Sequence, residues 1–372
     1  MKRRRIAVIV PGGVGSGDFS QGYPPMVNFL NNLCADFDVV VYSTYPTDKG
    51  FVSTTFEIVA PPRFIKSSKI RLLYLSVLFC FQQLRQRCHL VHGFWVYPTG
   101  TLAVILGKIF RIPSIVTIQG GEAASIPEIH YGNMLTPKLK SITFWTCEKA
   151  TCLNSISNFL ISQMKRHGLK RDHAVVIPFG SQEVIPPDNS PDKHVLIILH
   201  IANLTAVKDQ RTLMKAFSLI LQKVPAHLVV IGADHMNGEI QRYAEELQLT
   251  GAVDFKSAMS HDQLLPYYFD AHVMIHCSLH EGQSGVVTDA MARGVVVCGT
   301  PVGIISDLGE KYFQIAPIGD ADRLASLALE IWHDHNLFDE KRDAALTWAK
   351  QHDDHWTVNQ FNKLYQSLAV IE

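Results

Sequence analysis

The chain has 372 residues, 47% of them hydrophobic, enough to bury two cores rather than one. Its 34 Lys+Arg equal its 34 Asp+Glu and its seven cysteines form no C-x-x-C pair, so no nucleic-acid partner, disulfide framework or zinc ribbon is expected, and reduced thiols fit a cytoplasm. The average conceals a division. Residues 1–185 carry 20 Lys+Arg against 10 Asp+Glu, and residues 186–372 carry 14 against 24. The first half is therefore expected to meet something anionic, unless the two halves simply attract each other.

In chain order, "RIAVIVP" (5–11) is a short strand that breaks at Pro-Gly-Gly, too soon for the apolar region of a leader peptide. Gly12, Gly13, Gly15 and Gly17 follow it. Glycines after a strand let backbone N–H groups approach a phosphate; an ordinary glycine turn is the alternative. A dinucleotide dehydrogenase would need an acid at the end of the next strand. Here "DVVVYSTYP" ends in Tyr, Ser and Thr, with Asp38 at its start. Residues 63–87 combine Arg63, Lys66, Lys69, Arg71, Arg85 and Arg87 with Leu, Val, Phe and Tyr, and no acidic residue stands between Glu57 and Glu122. The segment reads as a helix lying on an anionic membrane at its inner face, or as a core helix with solvated basic ends. No apolar run reaches the 18 residues of a spanning helix. "LVHGF", "SIVTIQG", "ATCLNS" and "AVVIPFG" continue the strand pattern.

The Pro- and Asp-rich stretch "GSQEVIPPDNSPDKH" (180–194) reads as a linker. It sets a first domain at 1–185, a second at 186–350 and a closing helix at 351–372. Beyond it, "VLIILHIA", "HLVVIGA", "VMIHCS" and "VVVCGT" are again continuous apolar runs, as parallel strands covered on both faces require. Between two of them, "DQRTLMKAFSLILQKVP" aligns Leu213, Ala216, Phe217, Ile220 and Leu221 on one helical stripe that ends at Pro225. The expectation is two doubly wound α/β domains facing across a cleft, where strand C-terminal ends and helix N-termini converge.

Two stretches of the second half carry chemistry. In "IANLTAVKDQ", Lys208 precedes a helix start and is placed to neutralise a diphosphate. In "HEGQSGVVTDAMARGVVV" (280–297), Ser284 is the expected N-cap, Gly285–Arg293 the helix and Gly294 its stop. The N–H groups at that helix start suit phosphate oxygens. Asp289, one turn in, and Glu281, just outside, suit sugar hydroxyls. The alternatives are a Glu281–Arg293 ion pair with a solvated Asp289, or a metal held by His276, His280 and Glu281.

These stretches, in this order, resemble the retaining, nucleotide-sugar-dependent glycosyltransferases of family 4, which have the GT-B fold. Members typically read E-G-F/x…E-A-M-A-x-G-x-P-V where this chain has "EGQSGVVTDAMARGVVV", G-R-L…K-G where it has "IANLTAVKDQ", and V-I-P-N-G where it has "VIPFG". "DDHWTVNQFNKLY" is similar to the family's closing helix, which commonly crosses back onto the first domain. The resemblance implies catalytic roles for Glu281 and Lys208, with the donor held by Gly12, Gly13, Asn203, Lys208, Glu281, Gly282, Gln283, Ser284, Gly285 and Asp289. It implies no cofactor beyond the nucleotide-sugar substrate, no bound metal, and a glycan or lipid-linked acceptor of cell-envelope synthesis. Four departures stand out. Asp289 is shorter than the usual Glu by about 1.5 Å, Asn203 replaces an arginine, Gln283 replaces an aromatic, and Gln119 replaces a first-domain histidine. Glu122, Tyr131, His92 and Trp95 join Gln119 as acceptor-side candidates, although packed core roles suit His92 and Trp95 equally. A non-catalytic nucleotide-sugar-binding protein, or an epimerase of the same fold, is the competing expectation.

Overall fold

The computed structural model describes residues 3–15, 24–48, 51–181, 183–185 and 194–368. Gly17 and residues 186–193 of the expected linker lie outside these. The chain forms two compact units, Met1–Phe179 with Asp354–Glu372, and Gly180–Asp353.

The first unit is built from β1 (Arg5–Val10), α1 (Pro24–Leu33), β2 (Asp38–Ser43), β3 (Glu57–Val59), α2 (Ser68–Arg85), β4 (Leu90–Phe94), α3 (Thr101–Phe110), β5 (Ser114–Ile118), α4 (Pro137–Lys149), β6 (Cys152–Ser155), α5 (Asn158–Arg166) and β7 (Val175–Val176). Its seven strands form one parallel sheet in the order β3-β2-β1-β4-β5-β6-β7. Every residue of β1 and β4 is buried because helices cover both faces. The strand period of two then divides β1 between two cores. Ile6, Val8 and Val10 pack with Phe29 and Leu30 of α1, and Ala7 and Ile9 pack with Leu75 and Phe79 of α2. At the start of β1, buried Arg5 pairs with Asp38 at 3.1 Å and with Glu57. Asp38 is thus spent at the end of the sheet opposite the glycine turn.

The second unit runs β8 (Leu196–Ile201), α6 (Gln210–Leu221), β9 (Ala226–Ile231), α7 (Glu239–Glu246), β10 (Val253–Lys256), α8 (His261–Asp270), β11 (Val273–His276), α9 (Gly285–Ala292), β12 (Val296–Gly299), α10 (Gly303–Leu308), β13 (Gln314–Ile315), α11 (Ala321–His333) and α12 (His335–Gln351). Its six strands are also parallel, in the order β10-β9-β8-β11-β12-β13. Asp209 caps α6 by accepting from the Thr212 N–H. The stripe Leu213, Ala216, Phe217 and Ile220 is buried beneath the sheet. Because β8 and β11 are neighbours, the loops that leave their C-terminal ends lie side by side.

The closing helix α13 (Asp354–Leu368) is part of the first unit. Phe361 meets Phe29 edge-on at 4.9 Å, and the Thr357 hydroxyl donates to the Pro178 carbonyl. All seven cysteines are free thiols.

Candidate functional site

In the second unit, the loop after β8 turns through a short helical segment, Ala206–Lys208, before Asp209 starts α6. Buried neighbours fix this turn. Gln210 donates to the Asn203 carbonyl at 3.1 Å, the Cys277 thiol donates to the carbonyls of Lys208 and Asp209, and the Leu279 N–H donates to the Val207 carbonyl at 2.8 Å. His200 beneath it is kept neutral, since burial lowers its pKa to about 4. The turn and the loop after β11 are thereby clamped to one another.

The clamp brings Lys208 to Glu281, 73 residues apart in the chain, as a hydrogen-bonded ion pair. Ser278 donates to the same carboxylate oxygen, Oε1, at 2.8 Å, and His276 Nε2 stands 3.3 Å from it. Burial works against ionisation of Glu281. The Lys208 charge and the His276 ring outweigh that, and the carboxyl falls well below the usual carboxylate range. The ion-pair partner of Glu281 is therefore Lys208, not Arg293, and His276 serves Glu281 as a neighbour. Among the described residues, no group of three or more His, Cys, Asp and Glu is placed to hold a metal ion.

The next turns carry the chain into α9. Gly282 and Gln283 are buried, and the Gln283 carbonyl accepts from the Ile304 N–H at 3.0 Å. A side chain on Gly303, whose φ is +54°, would lie 2.6 Å from that carbonyl, so only glycine fits there. Ser284 occupies the N-cap position, but with φ 80° and ψ 89° its side chain caps nothing. This corrects the expected serine cap. The first N–H groups of α9, at Gly285 and Val286, precede its intrahelical hydrogen bonds. Asp289 is held from two sides, 3.5 Å from buried Arg293 and 3.3 Å from His261 Nε2. Arg293 itself lies over the Tyr268 ring at 5.4 Å. Exposed Asn203 uses its Oδ1 to accept from the Ala233 N–H, tying β8 to the turn after β9. A separate groove of about 1110 Å³, beside Leu219, Lys223, Glu330 and His333, contains none of these residues.

In the first unit, Gly13 adopts φ 76° in the turn after β1, and a Cβ on Gly12 would press on the Tyr45 ring at 3.3 Å. Glu122 is 4% exposed and faces inward. Its Oε1 accepts from the N–H groups of Gln119 at 2.9 Å and Val96 at 3.2 Å, and its Oε2 accepts from Gly120 at 2.9 Å. Burial raises its pKa and these N–H groups pull it back in part. Both of its oxygens accept from the main chain and so join the loops after β4 and β5. His92 is likewise engaged. It is fully buried, its Nδ1 meets the Tyr365 hydroxyl at 2.7 Å, its Nε2 meets Thr117 at 2.6 Å, and burial lowers its pKa to about 3. Trp95 is half-buried against the core in a left-handed conformation, φ 63°. Gln119 and Tyr131 are half-buried, and Tyr131 closes on Gly121.

Sequence reasoning misses Ser278, Cys277, His261 and Gly303. Only Gly303, in a Pro-Val-Gly turn, gives a local signal; the others become neighbours through strand order.

Residues 26–180 match the model of the glycosyl transferase 4-like domain, and residues 181–350 match glycosyl transferases group 1. No curated protein matches the chain. Among solved structures, a sucrose-phosphate synthase from Thermosynechococcus elongatus superposes with a TM-score of 0.82 at 20% identity, covering 100% of both chains. The HepE protein of Anabaena, in complex with UDP and glucose, gives 0.77 at 15% identity, over 98% of this chain and 100% of that one. The lipopolysaccharide outer core galactosyltransferase WaaB gives 0.71 at 15% identity, over 98% and 99%.

Proposed function

For a chain that belongs to the group 1, family 4-like glycosyltransferases and has their GT-B fold, we propose a retaining transfer of a sugar from a nucleotide-sugar donor. The acceptor is a glycan or lipid-linked intermediate of cell-envelope polysaccharide synthesis, and the protein works in the cytoplasm, peripheral to the membrane. The observation that carries this is the Lys208–Glu281 pair beside an α9 N-terminus that its serine leaves uncapped. HepE binds UDP and glucose, and WaaB is a lipopolysaccharide galactosyltransferase, which supports both ends of the reading.

In this mechanism the donor's diphosphate lies on the Gly285 and Val286 N–H groups and draws the Lys208 ammonium toward it. The three neighbours of Glu281 converge on Oε1, which leaves Oε2 to accept from a sugar hydroxyl. Asp289, oriented by Arg293 and His261, accepts from the ribose. As the bond between the anomeric carbon and the diphosphate oxygen breaks, the acceptor hydroxyl attacks from the same face. Its proton passes to a diphosphate oxygen, and configuration is retained. No metal or cofactor enters these steps.

Incubation of the purified protein with a panel of nucleotide sugars, with and without envelope extract, tests the proposal. Nucleotide release that depends on one donor and rises with extract is the expected result; binding without release from any donor refutes it. That second outcome fits a non-catalytic nucleotide-sugar-binding protein, the reading favoured by Asn203, whose side chain brings no second cation to the leaving group.

A further inference from the structure

Helix α2 is apolar on two opposite sides. Leu75, Phe79 and Gln83 face the sheet and are buried. Ile70, Leu73, Val77, Phe81 and Leu84 stand 45–80% exposed. Their spacing of three and four residues places them on one stripe, about 160° around the helix from the buried one. Five large apolar side chains in a row are not the scattered exposure of an ordinary surface. Phe64, just before the helix, is 80% exposed as well.

Charge surrounds this stripe. Lys66 and Lys69 at one end and Arg85 and Arg87 at the other are all exposed. No acidic residue occurs between Glu57 and Glu122, a span that also includes neighbouring α3. Arg63 and Arg71 differ: Arg63 binds the Thr47 carbonyl and Asp48, and Arg71 binds the Ile65 carbonyl beneath Tyr45. Those two are committed to the fold, whereas Lys66, Lys69, Arg85 and Arg87 are the cations at the ends of the stripe.

We propose that this face of α2 lies in the headgroup layer of an anionic bilayer, with Leu73, Phe81 and Leu84 entering the acyl boundary. The 18-residue helix is about 27 Å long, and no helix of the described residues is long and apolar enough to cross a membrane. A stripe of this kind with cations at its ends suits binding in the plane of the interface. A second copy fits less well, since a self-complementary contact would set like charges against each other. The placement rests on the lipid-linked acceptor reading for its purpose, because it would hold the first unit beside such a substrate.

Sedimentation of the full chain with vesicles of phosphatidylglycerol and phosphatidylethanolamine, against phosphatidylcholine alone, tests it at low and high salt. The anionic vesicles should bind the protein and salt should release it. Lys66→Gln, Lys69→Gln and Arg85→Gln should each weaken binding on the order of fivefold at low salt, and Leu73→Ser with Leu84→Ser should remove it. These side chains are exposed, so unchanged melting is expected of every variant. No sedimentation with any vesicle overturns the proposal. So does equal, salt-insensitive binding to neutral vesicles, or a dimer in solution that Leu73→Ser with Leu84→Ser dissociates while no vesicle binds. Nucleotide release from the donor, measured without vesicles on the same preparations, separates failure here from failure of the transferase reading.

Discussion

Glu281 and Glu122 are largely buried acidic side chains in comparable settings, one strand apart in the order of their sheets. Each sits in a loop leaving the C-terminal end of an interior parallel strand, β11 in one unit and β5 in the other. They differ in what balances the charge. Glu281 is met by the ammonium of Lys208, a side chain that can turn toward an incoming anion. Glu122 is met by backbone N–H groups, which cannot leave without unfolding the loops that carry them. Burial raises the pKa of both; Lys208 and His276 outweigh it at Glu281, whereas the N–H groups do not at Glu122. On the proposed function, Glu281 is released to a ligand when its cation turns to the diphosphate, and Glu122 stays with the scaffold.

The sharpest way to break that contrast is Glu281→Gln. Turnover should fall by about 10²–10³-fold while nucleoside diphosphate affinity and melting temperature change little; a protein that instead unfolds, or turns over normally, puts Glu281 with the scaffold. Glu122→Ala should do the reverse. It leaves three N–H groups without their acceptor, two of them buried, and should cost about 3 kcal/mol of first-unit stability, read by denaturant unfolding, with turnover per folded molecule preserved. Lys208→Ala should weaken nucleoside diphosphate binding about tenfold and lower turnover with it, which calorimetry and nucleotide release would measure together. Asp289→Ala should have a smaller effect, confined to nucleotide affinity, and Asp289→Glu should restore it; equal affinity in all three proteins would leave Asp289 as a partner of Arg293 alone.

Acidity offers the mildest test. The folded Glu281 carboxyl titrates below the ordinary value of about 4.3, so the stability it contributes is present above that value and is lost only as pH falls through its depressed folded pKa. Glu122 has the opposite sign: the folded state holds its proton more tightly than the unfolded chain does, so stability rises as pH falls through its raised pKa. The melting temperature of the wild type relative to Glu122→Gln should therefore climb modestly as pH is lowered from neutrality toward the ordinary carboxylate range. A flat difference would mean that the N–H groups fully offset the burial.

The parallel architecture was legible because interior strands covered on both faces must be continuous apolar runs, as "RIAVIV" and "LIILHI" are. Of the four edge strands only β7, within "AVVIPFG", was. β3 and β13 are short and partly exposed, and β10, "VDFK", alternates charge with apolar residues. Glu281 and Lys208 were visible as chemistry, but their pairing was not. Arg293 stood only as an alternative partner, and the actual one is fixed by the adjacency of β8 and β11, which no stretch of chain records. The partners of Glu122 were hidden for a related reason: the Val96 N–H reaches it only because β4 and β5 lie side by side. On α2 the sequence left two roles open for one helix, and the fold uses its two faces differently, one against the sheet and one exposed.

The return of α13 to the first unit has a consequence for how the protein is made. Phe361 and Tyr365 complete the aromatic cluster around Phe29 and His92, yet both are synthesised after the whole of Gly180–Asp353. A chain emerging N-terminus first can pair β1 through β7 early, but during synthesis it holds an open apolar seat on that sheet until α13 arrives. Translation order and folding order therefore diverge. The second unit, contiguous in sequence, is free to finish first, and the first unit, begun earliest, finishes last.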